Sequence, residues 1–447
     1  MSVFSNTLKT WLIDPTVDNS KRTEYRLPHG NLASSWKLVD VGFYSADVTA
    51  KESGVFYPSI LGVLSTIQGL AIYSGATLID EIQELQAYGS VQHLRCNNQV
   101  SEDLSRFELL NGISVALSTG NPQLIDQNLT YAPGCLTMNA SSKDYANWYD
   151  TPLDGVLEVE PAPYHHNQFQ IADQQDDATS GTLLLSNYLQ FLESVPVLQH
   201  LPDLRLVITW NPASSNLYLD NKAVDNPSLP TNLPHIRPQL MVEEILGLPE
   251  QKGTLKIPFL STMVERFVVP GIANAESQAV NFRSGSLRQR FVKDLLFFNK
   301  VTTDAGWCKA ASRSPAMKNE TLQLVLDGRR YLPNSGIVHP AMKLQYFNDT
   351  FGQLNLPFLA AMSSVVDKES DCFNIADTDL QVLAGQFSVT GVNMNAVVNQ
   401  SLEVQVSRLG ATSVDAAQAA QYTLLMFARV NRLLEYVPGG PSIRLSY

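Results

Sequence analysis

The sequence is poor in the features that mark metal sites, disulfide scaffolds and proteins that wrap nucleic acid. Its four cysteines are far apart in 447 residues and never form a CxxC pair, which indicates neither a zinc site nor a disulfide framework. Only 17% of residues are charged, and 31 Lys+Arg against 43 Asp+Glu give a net charge of −12. Because an acidic chain repels polyanions, we expect no sequence-specific binding of nucleic acid.

Long apolar runs are also missing. No run is long enough to span a bilayer as a helix, and the N-terminus lacks the basic start and apolar core of a signal peptide. We therefore expect a soluble protein made in a cytosol-like compartment. Apolar residues make up 44% of the chain, so 447 residues can build two or three domains with substantial cores.

Sequence motifs of common catalytic sites are absent. The chain contains no GxxxxGK[ST], GxGxxG, HExxH or GxSxG pattern. We therefore predict that it is not an enzyme, with no catalytic, cofactor-binding or metal-binding residues and no cofactor. Three acidic or histidine groups could carry chemistry but fit surface loops or a solvated strand face better: His165-His166, Glu158 with Glu160, and Asp173 with Asp176 and Asp177.

Basic and aromatic residues offer two weaker candidates. The densest basic cluster is Arg283, Arg288, Arg290 and Lys293, to which Arg329-Arg330 could be added. A subunit contact or a solvated face explains it better than binding of a phosphate. The tryptophans are dispersed, so they predict core or interface positions rather than a carbohydrate platform: Trp11, Trp36, Trp148, Trp210 and Trp307.

Period-two patterns dominate the rest of the chain. In Leu204–Trp210, apolar residues alternate with more polar ones until Asn211-Pro212, which is typical of a strand with one face on a core. Leu402–Ser407 repeats the pattern 198 residues later (402 − 204 = 198). Each strand lies late in its half, so we predict two similar β domains in tandem, with short strands and long loops.

Domain limits follow from composition. We predict a polar N-terminal arm at 1–30, held in place by a neighbouring subunit, a first domain at 31–235 and a second at 236–447, because 211–238 is rich in proline. Apolar spacing at Leu78–Leu85 predicts a short helix that begins near Thr77. Tyr422–Tyr436 is apolar on both faces, so its period fits either a helix or a buried strand.

Three segments resemble the double jelly-roll major capsid proteins of tailless icosahedral double-stranded DNA viruses. This lineage includes adenovirus hexon, virophages and polinton-like viruses. Leu183–Trp210 resembles the end of a first jelly roll with an inter-strand helix, and Leu322–Gly352 resembles a second-roll segment with an outer loop. Tyr422–Tyr447 resembles the closing strands, which makes Tyr422–Tyr436 a strand. The likeness spans most of the chain as a pattern rather than a strict motif.

The resemblance implies an all-β fold of two tandem eight-stranded jelly rolls with short inter-strand helices. Three chains would form a homotrimeric capsomer of pseudo-hexagonal outline that tiles an icosahedral shell. The implied partners are neighbouring capsomers, penton or vertex proteins and minor capsid (cement) proteins, and an internal membrane stays open. The implied location is the virion, after assembly in the host cytoplasm or nucleus.

Two other functions remain as alternatives. A minor capsid or vertex (penton) protein usually has one jelly roll, whereas two β halves are predicted here. A β-sandwich carbohydrate-binding protein or enzyme should offer paired carboxylates in a cleft or a row of aromatic residues, and the sequence suggests neither.

Overall fold

Four antiparallel sheets form most of the computed structural model, two in each half of the chain. The structure describes residues 7–42, 55–56, 62–95, 136–138, 159–161, 181–211, 218–219, 237–248, 253–272, 277–301, 320–333, 336–338, 340–352, 389–409, 421–440 and 443–446. Every statement below concerns these residues.

Strands β1 to β15 belong to the N-terminal half. Their bounds are β1 (Thr7–Ile13), β2 (Val17–Asn19), β3 (Arg22–Arg26), β4 (Asn31–Ala33), β5 (Lys37–Val41), β6 (Val55–Phe56), β7 (Ile67–Ser74), β8 (Thr77–Gln83), β9 (Leu136–Met138), β10 (Val159–Pro161), β11 (Gly181–Leu184), β12 (Val197–Gln199), β13 (Leu204–Trp210), β14 (Tyr218–Leu219) and β15 (Gln239–Leu246). Sheet 1 has the order β11-β5-β15-β4-β12, with β1 along the other side of β15. Sheet 2 has the order β2-β3-β13-β7-β8.

Strands β16 to β24 belong to the C-terminal half. Their bounds are β16 (Leu255–Val269), β17 (Ser277–Ser284), β18 (Phe291–Val301), β19 (Glu320–Leu326), β20 (Arg329–Arg330), β21 (Thr390–Val397), β22 (Leu402–Leu409), β23 (Tyr422–Tyr436) and β24 (Ile443–Ser446). Sheet 3 has the order β16-β23-β18-β21, with β24 beside β23, and sheet 4 has the order β17-β22-β19-β20. Short pairs β9–β10 and β6–β14 stand apart from the four sheets.

The two halves share one topology, which is that of a jelly roll. In sheets 1 and 3 the first strand of the half pairs with its last long strand, β1 with β15 and β16 with β23. In sheet 2 the late strand β13 lies between β3 and β7, and in sheet 4 the late strand β22 lies between β17 and β19. With β4 and β5 taken as one interrupted strand, β11 and β12 as another, and the additional edge strands β2 and β24 left aside, the sheets of each half have eight strand positions. The predicted double jelly roll is therefore confirmed.

The two strands that suggested an internal repeat occupy the same place in each roll. Leu204–Trp210 lies between β3 and β7, and Leu402–Leu409 lies between β17 and β19. Tyr422–Tyr436 is a strand, hydrogen-bonded along one side to β16 and along the other to β18. A central strand covered on both faces needs no polar face, which explains its apolar sequence.

Short helices fill the connections in both rolls. α1 (Leu85–Arg95) follows β8, α2 (Gln190–Ser194) lies between β11 and β12, and α3 (Pro340–Phe351) precedes β21. Two 3₁₀ turns span Gly62–Thr66 and Leu185–Asn187. These helices match the short inter-strand helices that the fold prediction included.

The helix predicted from Thr77 to Leu85 is wrong, because Thr77–Gln83 is strand β8 and the helix begins only at Leu85. β8 pairs with β7 through a register shift next to Tyr73. The shift interrupts the alternation, so Ile79 and Asp80 are neighbours and both are buried. The resulting apolar spacing resembles a helical period.

The predicted N-terminal arm belongs to the first roll from Thr7 onward. β1 pairs with β15 over seven residues, and β3 pairs with β13. Pairing within the chain therefore holds this segment in the first roll, and a contact with a neighbouring subunit stays a prediction.

The strand Gln239–Leu246 lies beyond residue 235 in sequence but in sheet 1 in space, beside β1, β4 and β5. Just before it, the Tyr25 hydroxyl donates a 2.7 Å hydrogen bond to the Pro238 carbonyl oxygen. We therefore propose that the domain boundary follows β15, between residues 247 and 254.

Candidate assembly surfaces

The first candidate surface is the junction between the two rolls, which is apolar at its centre. One hydrophobic cluster joins the core of the first roll to side chains from the outer face of sheet 3, among them Phe259, Leu425 and Phe427. The Phe259 ring meets Phe191 of α2 edge-on at 4.9 Å between centroids, and Phe427 lies 5.4 Å from Tyr88 of α1. A second cluster fills the space between sheets 3 and 4. The junction is therefore a continuation of the first core.

A buried carboxylate, Asp80 of β8, crosses this junction. It accepts hydrogen bonds from the Phe191 backbone N–H at 2.9 Å and from the Ser261 hydroxyl of β16 at 2.7 Å. Arg432 of β23 donates to the Ile79 carbonyl oxygen at 2.7 Å and to the Ser261 hydroxyl at 3.3 Å. Burial raises the pKa of Asp80 to about 6, although both hydrogen bonds and Arg432 act to lower it.

A second carboxylate, Glu84, lies at the edge of the junction between two cations. Its oxygens accept hydrogen bonds from Arg266 of β16 at 2.9 Å and from Lys300 of β18 at 2.8 Å. Burial acts to raise the pKa of Glu84, but Lys300 and Arg266 together lower it. The first roll thus presents acids here, and sheet 3 presents bases.

The second candidate surface is the outer face of sheet 1, which corresponds to the face of sheet 3 used in the junction. Ile13 packs towards the core, so the alternate residues of β1 face outward, and Leu8 and Leu12 are 58% and 57% exposed. On β15, Ile245 lies opposite Leu8, Glu243 opposite Thr10, and Met241 opposite Leu12. On β1 and β15 this face is apolar apart from Thr10 and one acid, Glu243, and Lys37 of β5 lies opposite Met241 on the same face. We call Leu8, Leu12, Met241, Glu243 and Ile245 the sheet 1 patch.

The third candidate surface is the free edge of sheet 4 at β20. An Asp327-Gly328 turn with positive φ at both residues, 50° and 80°, connects β19 to β20. It presents Arg329 and Arg330 to solvent, followed by the partly exposed ring of Tyr331. The Tyr331 hydroxyl donates to backbone oxygens of Asn393 and Met394, both at 2.9 Å, which fixes this edge against β21.

The structure separates the basic cluster that the sequence suggested. Arg283 lies on β17 at one edge of sheet 4, where it pairs with Glu403 at 3.3 Å, and Arg330 lies on β20 at the other. Three strand spacings, about 14 Å, divide them. Arg288 and Lys293 are exposed near the β17–β18 connection. Arg329-Arg330 therefore form a separate basic edge.

The remaining candidates have mixed outcomes. His165-His166, Glu158, the three aspartates at 173–177, Trp148 and Trp307 lie outside the described residues, and Glu160 is in the short strand β10 opposite Thr137. Trp36 and Trp210 are core residues, as predicted. Trp11 is partly exposed on β1, and its indole N–H donates to Glu244 at 2.9 Å.

One buried polar cluster in the second roll resembles a site in composition. Lys343 of α3 pairs with Glu320 at 2.9 Å, and the Tyr422 hydroxyl donates to the same carboxylate at 2.6 Å. Burial, followed by the charge of Glu320, raises the pKa of Tyr422 well above its usual range. These interactions tie α3 to β19 and β23, which is a structural role.

The described residues include no group of three or more His, Cys, Asp or Glu side chains that could hold a metal ion. They also include no helix with the length and apolar character needed to cross a membrane.

Sequence reasoning missed the polar residues of the junction. Asp80 and Glu84 were assigned to a helix, where acids in early turns are ordinary. The available signal was an aspartate flanked by Ile79 and Ile82, because an acid among buried aliphatic residues requires a partner elsewhere in the fold.

Solved structures resemble the chain over nearly its whole length, and two of them are described here. No family model matches it, and no curated protein matches its sequence. The cryo-EM structure of the Sputnik virophage matches with a TM-score of 0.54 and 11% identity, over 98% of this chain and 88% of that one. The crystal structure of the mavirus major capsid protein matches with a TM-score of 0.51 and 11% identity, over 99% and 90%. At this identity the likeness establishes a shared double jelly-roll fold.

Proposed function

We propose that the chain is the major capsid protein of an icosahedral double-stranded DNA virus, and that three copies form a pseudo-hexameric capsomer. Its fold matches that of the mavirus major capsid protein over 99% of the chain. The observation that carries the proposal is the asymmetry of the junction between the two rolls.

The junction is heterologous, since each roll uses a different surface. The first roll contributes the end strand β8 with α1 and α2, and the second contributes the outer face of sheet 3. The equivalent surfaces that remain are the outer face of sheet 1 and the β20 edge, at opposite ends of the chain's two-roll unit. A heterologous contact that is repeated with a closing rotation makes a ring. Three chains supply six rolls, so a near-hexagonal ring follows from repeating the junction between subunits.

We extend the proposal to partners and location. Neighbouring capsomers, penton and minor capsid proteins would contact the outside of the trimer, and the protein would reside in the virion. The role is structural rather than enzymatic, and affinity comes mainly from apolar area buried between subunits. Assembly in the presence of lipid would test for contact with an internal membrane.

The native mass of the purified chain tests this proposal. Light scattering on a sizing column should give a species near three times the 49.3 kDa chain mass. Electron microscopy of concentrated samples should then reveal hexagonally packed sheets or closed shells. A stable monomer at micromolar concentration would remove the proposal and favour a β-sandwich binding protein, which glycan arrays would examine next.

A further inference from the structure

We propose that Glu243 of one subunit pairs with Arg329 and Arg330 of the next, in an interface between subunits that also buries Leu8 and Leu12. In this contact the sheet face carries the acid and the edge of the other roll carries the bases, which is the reverse of the junction inside the chain. This reversal fixes the alternation of first and second rolls around the ring. The inference rests on the proposed trimer and specifies the surfaces that form it.

The sheet 1 patch requires a cover on physical grounds. Two leucines more than half exposed lie four residues apart on an edge strand, beside Met241 and Ile245. Exposed aliphatic rows on edge strands promote association, and soluble monomers usually blunt them with charge or proline. The patch carries one acid, Glu243, whose carboxylate accepts a 3.1 Å hydrogen bond from the Ser35 hydroxyl.

The occupant follows from the equivalence of the two rolls. β1 has the position in sheet 1 that β16 has in sheet 3, and β20 has the position in sheet 4 that β8 has in sheet 2. Inside the chain, β16 lies against β8. If the packing of β16 against β8 is repeated between chains, β1 of one copy lies against the β20 edge of another. The occupant is therefore a second copy of this chain.

Charge supports the same pairing. In the junction, sheet 3 presents Arg266 and Lys300, and the first roll presents Glu84. Between chains the sheet surface would present the acid Glu243, and the β20 edge would present two exposed arginines. The signs are exchanged between the two contacts, and each contact is complementary.

This exchange disfavours the wrong assemblies. Within the chain, β8 and sheet 3 already cover one another, so the sheet 1 patch and the β20 edge are the equivalent surfaces left for a second copy. Two sheet 1 patches packed together would set Glu243 against Glu243, and two β20 edges packed together would set arginine against arginine. Repulsion between like charges at an interface raises specificity for the correct partner. The rolls therefore alternate, first against second, around the ring.

Charge reversal tests the contact directly. Glu243→Arg alone, and Arg329→Glu with Arg330→Glu, should each raise the dissociation constant of the trimer at least about tenfold in sedimentation velocity. The triple variant, with both sides reversed, should return it to within about threefold of wild type. The matched control is Arg283→Glu with Arg288→Glu, of which Arg283 is on β17 at the opposite edge of sheet 4 and Arg288 follows that strand, and this variant should remain trimeric. Far-UV circular dichroism and thermal unfolding would verify that every variant folds.

The outcomes separate this inference from the proposed function. If wild type is trimeric and either reversal leaves the dissociation constant unchanged, the inference is overturned and the capsomer stands. If both reversals dissociate the trimer but the triple variant does not recover, or if the control dissociates equally, the specific pairing is overturned. A monomeric wild type would instead refute the proposed function itself.

Discussion

The outer faces of sheets 1 and 3 occupy equivalent positions in the two rolls, but they differ in how far their side chains are buried. Sheet 3 is covered by the first roll, and Phe259 and Phe427 are almost completely buried there. On sheet 1, Leu8 and Leu12 are more than half exposed, and Met241, Glu243 and Ile245 beside them are partly buried. One chain thus displays both the buried and the unburied state of the same kind of surface.

The difference teaches how a duplicated fold can encode assembly. The covered face has large aromatic side chains and the cations Arg266 and Lys300 at its edge, whereas the exposed face has aliphatic side chains, one acid, Glu243, and one base, Lys37. A permanent junction can hold residues that would be insoluble alone, but a surface that must survive in a free subunit carries smaller apolar groups. Of the four predictions below, three alter the junction that covers sheet 3 and one alters the exposed face of sheet 1.

The largest effect is expected at the covered face. Phe427→Ala removes a 1% exposed ring from the core shared by the rolls and should lower the free energy of unfolding by about 3–5 kcal/mol. Val397→Ala, at a side chain 45% exposed on β21, is the control and should cost less than about 1 kcal/mol. Guanidinium titration would measure both. Equal losses would mean that the junction does not stabilise the chain.

The second-largest expected effect is a pH dependence of the free energy of unfolding that is caused by Asp80. Because its pKa rises from 3.8 to about 6 on folding, the folded carboxyl binds its proton more tightly than the unfolded one. Its contribution to stability is therefore full below pH 4 and is lost as pH rises through 6, on the order of 3 kcal/mol. Asp80→Asn should remove this loss.

Urea titrations of wild type and Asp80→Asn from pH 4 to pH 7 would measure that difference, in which the titration of all other groups cancels. Stability curves that run parallel across this range would contradict the assigned burial of the carboxyl group.

A smaller effect of opposite sign is expected from Glu84. Its pKa is lowered on folding, so its contribution is present above the unfolded value and is lost as pH falls through the folded one. Since Arg266 is 44% exposed and Lys300 is 30% exposed, Glu84→Gln should cost only about 1 kcal/mol at pH 7. A loss above 3 kcal/mol in chemical denaturation would refute this partly screened geometry.

The smallest effect on subunit stability is expected at the exposed face of sheet 1. Leu8→Ser with Leu12→Ser removes exposed side chains and should change the free energy of unfolding of the dissociated subunit by about 0.5 kcal/mol or less. The same variant should weaken self-association, because those side chains become buried only between subunits. Unfolding at nanomolar concentration and sedimentation at micromolar concentration would separate the two effects. Strong destabilisation of the subunit would indicate that the patch is already buried within one chain.

Sequence patterns predicted the parts of the fold in which alternation matches burial. Leu204–Trp210 and Leu402–Leu409 have one face on a core, so period two was sufficient. Tyr422–Tyr436 is buried on both faces, and only the resemblance to the capsid family identified it as a strand.

Long-range pairing was beyond the reach of sequence patterns. Nothing local in Gln239–Leu246 indicates that it returns to β1, more than 220 residues earlier, and the proline-rich segment before it suggested a boundary instead. The bulge in β8 produced a false helical period. The candidate surfaces depend on which sheet face a second roll covers, and that is a tertiary property.

The most direct test of the central claim is the native mass of the wild-type chain across a dilution series, by light scattering. We predict a trimer near three times 49.3 kDa that dissociates to a folded monomer on dilution, since each chain has one covered and one exposed face. A monomer at all concentrations up to tens of micromolar, with the sheet 1 patch still exposed to solvent, would contradict the account.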